Sequence, residues 1–124
     1  MRRVLASALV CFAQVGGAQE ETALADGALL RGLDKVSGAV HDEALRSGQS
    51  FEIGNLRVAL GECRYPVANP VGDAFAHLVI QNVDINETVF KGWMIASSPA
   101  LNSLEHARYD VWVLRCAMAD TSSE

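Results

Sequence analysis

The sequence predicts a mainly β fold: a small antiparallel sandwich or barrel of about seven strands with one short helical turn. Three observations carry this. Short apolar runs of period two recur roughly every 8–12 residues. Gly, Asn and Asp punctuate the gaps between them. No stretch shows the i, i+3, i+4, i+7 spacing of a long amphipathic helix. The chain has 124 residues, 50% hydrophobic and 20% charged, which suits one packed domain and argues against disorder.

The elements follow in order. Residues 1–18 read as a cleaved signal peptide: Arg2 and Arg3 supply a positive start, Val4 to Val15 an apolar run, and Gly16-Gly17-Ala18 small residues for cleavage. As a helix that run would reach only ~18 Å, short of a bilayer core of ~30 Å, so no stable membrane span is expected after cleavage. Residues 19–28, polar and acidic, read as a flexible leader. The single domain is expected over 29–116. Its first two strands flank a turn in which Asp34 caps through its own side chain and Gly38 takes a positive φ.

The strongest local signal is FEIGNLRVALGEC, residues 51–63. A two-residue Gly54-Asn55 loop pairs Ile53 with Leu56 and Phe51 with Val58. Those four and Leu60 then share one face, with Glu52, Arg57 and Ala59 on the other. Pro66 and Pro70 mark residues 64–74 as an irregular connection. In the next strand Ala76, Leu78 and Ile80 alternate with Phe75, His77, Val79 and Gln81. Phe90 to Ala96 and Tyr109 to Cys116 are apolar on both faces and read as central strands. Between them Ser98 is placed to cap a helical turn starting at Pro99, with Leu101 and Leu104 facing inward. Residues 117–124 form a polar tail.

Export changes the cysteine arithmetic. Cys11 leaves with the signal peptide, so Cys63 and Cys116 remain, either as a bridge or as two separate buried thiols. An oxidising compartment favours the bridge. A periplasmic or secreted location is the expectation. The net charge of −5 argues against a nucleic-acid partner, which needs clustered Lys and Arg.

Residues 90–116, FKGWMIASSPALNSLEHARYDVWVLRC, resemble the C-terminal signature of a family of small exported bacterial proteins catalogued as domain of unknown function 2155. The resemblance extends to GLDKVSG (32–38), to the segment from Phe51 to Cys63, and to the Pro-containing loop after it. This chain has Ala107-Arg108 where the family tends to have a proline before Tyr-Asp-Val-Trp, which leaves the rigidity of the approach to the last strand open. The family has no assigned activity. The resemblance implies export, one domain and the cysteine pair, and no mechanism.

Candidate chemistry is sparse. Ser98, His106 and Asp110 supply the residue types of a hydrolytic relay, without a Gly-x-Ser-x-Gly elbow. Their alternative roles are a helix cap, a turn end and a backbone acceptor. His41, His77 and His106, with Asp42 or Asp110, match no metal-ligand spacing, so no metal or other cofactor is expected. Trp93, Trp112, Tyr65, Tyr109 and Phe90 suit a core, with one or two lining a groove. The corner carrying Ser97, Ser98, Asn102, Glu105 and His106 is the least core-like stretch and the expected interaction surface. The leading expectation is a non-enzymatic binding module of the cell envelope, stabilised by one disulfide, whose partner is an envelope protein or other envelope component. The alternative is a small periplasmic hydrolase using the Ser/His/Asp set.

Overall fold

The computed structural model describes residues 21–119. The expected signal peptide and residues 120–124 of the tail lie outside them. The strands are β1 (Thr22–Leu24), β2 (Gly27–Asp34), β3 (Val40–Arg46), β4 (Ser50–Ile53), β5 (Leu56–Pro66), β6 (Phe75–Asn82), β7 (Glu87–Ile95) and β8 (Tyr109–Ala117), with a 3₁₀ turn at Pro99–Leu101. One antiparallel sheet runs β1-β5-β6-β7, with β4 also pairing β5; the other runs β3-β2-β8. The inner faces of both contribute to a single core. The fold is therefore an open sandwich and not a closed barrel.

The period-two rows fall where the sequence places them. Leu56, Val58 and Leu60 of β5 and Ala76, Leu78 and Ile80 of β6 are buried, and Phe75, His77, Val79 and Gln81 face outward, half-buried. The β4–β5 hairpin has the expected register, Phe51↔Val58 and Ile53↔Leu56, with Gly54 at φ 56. In the β2–β3 turn the Asp34 carboxylate accepts from the N–H of Val36 (2.9 Å) and Ser37 (3.3 Å), and Gly38 takes φ 78.

Four expectations need correction. Part of the expected flexible leader is strand β1, paired with β5 through Thr22↔Pro66 and Leu24↔Arg64, which brings the strands among the described residues to eight. Ala25 and Ala28, also in the leader, are buried. Next, β5 continues through Arg64 and Tyr65 to Pro66, so the irregular connection is shorter; Pro66 costs no internal pairing because it ends the strand. Third, β7 and β8 are edges of their sheets, while β5 and β2 are internal. Among the described residues no further layer covers their second apolar faces. Finally, Leu104 turns inward but Leu101 is 75% exposed, since a three-residue 3₁₀ turn is too short to present two residues to one side.

Bulges explain the disulfide. In β5, Leu60 faces Leu78 and Glu62 faces His77, leaving Gly61 unpaired. In β8 the register slips between Val113 and Arg115. Each extra residue reverses the inward–outward alternation after it. Cys63 and Cys116 both turn inward as a result, and their sulfurs bond across the sandwich with Cα atoms 5.7 Å apart.

Candidate functional site

The corner between β7 and β8 is tied down by polar contacts. Ser97 donates its N–H (3.0 Å) and hydroxyl (2.7 Å) to the Asp73 carboxylate. Burial pushes the Asp73 pKa up, but these bonds and the N–H of Ala74 outweigh it and hold the group below the usual range. Asn102 Nδ2 donates to the Trp93 carbonyl at 2.9 Å, covering part of the open edge of β7. Glu105 is exposed. Ser98 stands at the expected cap position, yet its side chain makes no capping bond. Its carbonyl accepts from the N–H of Leu101 instead.

The Ser/His/Asp candidates do not meet as a relay. His106 Nδ1 accepts from the N–H of Arg108 and of Tyr109, both at 3.0 Å. Asp110 Oδ1 accepts from the N–H of Val111 at 2.9 Å. Among the described residues no hydrogen bond joins Ser98, His106 and Asp110, and no group of three or more His, Cys, Asp or Glu is arranged to hold a metal ion.

The approach to β8 is braced rather than loose. Arg108 grips the Asp34 carboxylate through Nε (3.3 Å) and Nη2 (3.0 Å), with its guanidinium 5.3 Å from the centre of the Tyr109 ring. The N–H of Lys35 donates to the Arg108 carbonyl at 2.7 Å, and Lys35 Nζ to that of His106. An ion pair and turn hydrogen bonds thus supply the rigidity expected of a proline. The Arg108 hydrogen bond, countered by some desolvation and helped by the turn N–H groups, lowers the Asp34 pKa from 3.8 to about 2. A depressed carboxylate stabilises the fold fully above its unfolded value and loses that contribution as pH falls toward the folded one. Asp34→Asn should therefore show a shallower fall in melting midpoint than the wild type between about pH 4 and pH 2. Parallel melting curves from the two proteins would refute the assignment.

The feature missed in the sequence is the outer face of the larger sheet. Register sets two rows across it: Glu62↔His77↔Trp93, and Leu24↔Arg64↔Phe75↔Ile95. Trp93 is 40% exposed, with the His77 ring edge-on at 5.2 Å. Two open depressions adjoin it. One, of about 310 Å³, is lined by Thr22, Arg64, Phe75, Trp93 and Ile95 and is almost wholly apolar. The other, of about 470 Å³, is polar and apolar in equal parts and is lined by Gly61, Glu62, His77 and Trp93. A Cβ on Gly61 would stand 3.3 Å from His77 Nδ1. The absence of a side chain at Gly61 thus leaves the space beside His77 free in this second depression. Arg64 reaches Glu62 only at 3.4 Å, so both retain hydrogen-bonding capacity.

The five aromatic candidates therefore divide. Tyr109 is buried, Phe90 and Tyr65 pack against the core, Trp112 is half-buried on the outer face of the other sheet, and Trp93 stands open. No local sequence signal marks Trp93 as outward; its pairing with the outward row of β6 does.

A family described as uncharacterized protein conserved in bacteria (DUF2155) matches residues 28–116. A curated relative, an uncharacterized protein of Rickettsia prowazekii (strain Madrid E), is 26% identical over 87 residues, covering 68% of this chain and 56% of the relative. The match thus spans little more than half of that relative's length. No solved structure matches the chain. With most of its length matched, the chain belongs to the DUF2155 family.

Proposed function

We propose that this DUF2155 member is an exported, non-enzymatic binding module that engages a component of the bacterial cell envelope through the outer face of its larger sheet. The observation that carries the reading is Trp93. A tryptophan 40% exposed, beside the side chains of Phe75 and Ile95 on a sheet face that no other described element covers, is characteristic of a contact surface. Export is supported by the Arg2-Arg3 start and the apolar run after it, and by a cystine that an oxidising compartment maintains. Asp73 and Asn102 hold the corner after β7 in place beside that face.

The test is co-sedimentation of the chain, purified from the periplasm of an expression host, with washed bacterial envelopes. The wild type should pellet with them, and Trp93→Ala should weaken binding at least ~10-fold. Substitution of the exposed Ala44 on the other sheet should leave binding unchanged. Equal pelleting of wild type and Trp93→Ala would refute the surface. Because Trp93 is largely outside the core, its replacement should leave the fold intact, which circular dichroism checks.

A further inference from the structure

The two depressions beside Trp93 differ in polarity, and that difference carries information about the occupant. We infer that the face binds an N-acetylhexosamine glycan, one sugar unit per depression, with the chain of sugars crossing Trp93. This rests on the reading of the outer face as the binding surface and adds a ligand class to it.

The chemical match is specific. A pyranose presents an apolar C–H face and a rim of hydroxyls. The C–H groups, slightly positive, suit the negative face of an indole. An acetamido group adds a methyl, which suits the apolar depression floored by Phe75 and Ile95. Its amide and the ring hydroxyls need donors and acceptors. Glu62 accepts, Arg64 donates in a planar fork, and His77 does either through its ring nitrogens. All three stand on the outer face in register with Trp93 or Phe75, and Glu62 and Arg64 are joined only by long contacts of 3.4 Å.

Charge narrows the choice further. The chain is acidic, at −5, and the two depressions are lined by one Arg and one Glu, with Lys91 and Arg57 farther along the same face. An anionic lipid surface or a polyphosphate would be repelled by the whole molecule and would meet one cation, Arg64, in the depressions themselves. An uncharged, N-acetylated polymer meets no such opposition. The depressions, about 310 and 470 Å³, are open and shallow, which suits successive rings laid on a sheet better than one deeply enclosed molecule.

The experiment uses the β-1,4-linked N-acetylglucosamine tetramer, the matching glucose tetramer, and protein-free peptidoglycan sacculi. The chain contains two tryptophans, so Trp112→Phe leaves Trp93 as the reporter. The expected result is a concentration-dependent change in its emission with the N-acetylated tetramer, and binding at least ~5-fold weaker to the glucose tetramer, which lacks the acetamido groups. Sacculi should pellet the wild type, with at least ~10-fold weaker binding for Trp93→Ala and partial recovery in Trp93→Phe. Glu62→Gln, away from the core, should weaken the tetramer by a few-fold. No emission change up to millimolar tetramer together with no pelleting on sacculi would overturn the glycan assignment. If washed envelopes still bound in a Trp93-dependent way, the occupant would be a protein, and the broader reading would survive without this one. If neither preparation bound, both would fall.

Discussion

Replacing Cys63 and Cys116 together with alanine should lower the melting midpoint by roughly 20 °C. The bridge spans a sequence separation of 53 residues, and on the chain-entropy account a loop of that size contributes about 4 kcal/mol by restricting the unfolded chain. In a domain of this size each kcal/mol moves the midpoint by about 4–8 °C. The native state has reasons to feel the loss too. The bond joins β5 of the larger sheet to β8, an edge of the smaller one. Apart from it and the shared core, β8 is held by its pairing with β2 and by the Arg108–Asp34 brace. Alanine is preferred to serine because Cys63 is fully buried, and a hydroxyl there would add a separate desolvation cost. Scanning calorimetry of the double variant is the measurement, with wild type melted in strong reductant expected to give nearly the same midpoint. A drop of less than about 5 °C would mean that the sandwich does not depend on the bridge.

The disulfide also shows how far the fold was legible from residues alone. Export and an even count of cysteines pointed to the pair. Alternation, taken literally, argued against it: Cys63 is out of step with Leu56, Val58 and Leu60. Gly61 lies between, and a glycine in a strand is a recognised place for a bulge. The Asp34 turn and the Gly54-Asn55 hairpin were legible because their determinants are local, a side chain bonding its own backbone and a glycine at positive φ. Strand neighbours were not. Period two tells which residues share a face, but not whether another strand or another layer lies beyond. That is why β7 and β8, apolar on both sides, read as central when they are edges. β1 was missed for a related reason: three residues of little apolar weight are held by the backbone of β5, and such a partner leaves no mark in their own composition.

The same limitation hid the candidate site. Trp93 looked like core because its neighbours in the chain are apolar. Only its pairing with His77 places it on the outer face, in line with Glu62. The corner from Ser97 to His106 drew attention because its polar residues are close in sequence. In the structure Ser97, Asn102 and His106 spend their hydrogen bonds on Asp73, the Trp93 carbonyl and two backbone N–H groups. Residues dense in chemistry along the chain thus became supports, and the face they help to position draws its residues from β1, β5, β6 and β7.

Gly54→Ala should be the most damaging single substitution in a turn, costing roughly 3 kcal/mol. Two effects combine. At φ 56 a Cβ brings the left-handed penalty of about 1–2 kcal/mol. A Cβ built there would also lie 2.1 Å from the Tyr109 hydroxyl oxygen and 2.2 Å from the ring carbon bearing it. Tyr109 has little room to yield. It is buried, its ring lies 5.4 Å from that of His106, and the Arg108 guanidinium sits over it. Moving it would disturb the brace at the start of β8, adding about 1–3 kcal/mol of overpacking. Tyr109→Phe should not rescue the variant, because the obstructing ring carbons remain. Tyr109→Leu, destabilising alone, should make Gly54→Ala cheaper by at least ~1 kcal/mol in a double-mutant cycle read by denaturant titration. Additive effects would show that the cost lies in the backbone alone, and that the hairpin tip and the entrance to β8 are not one packed unit.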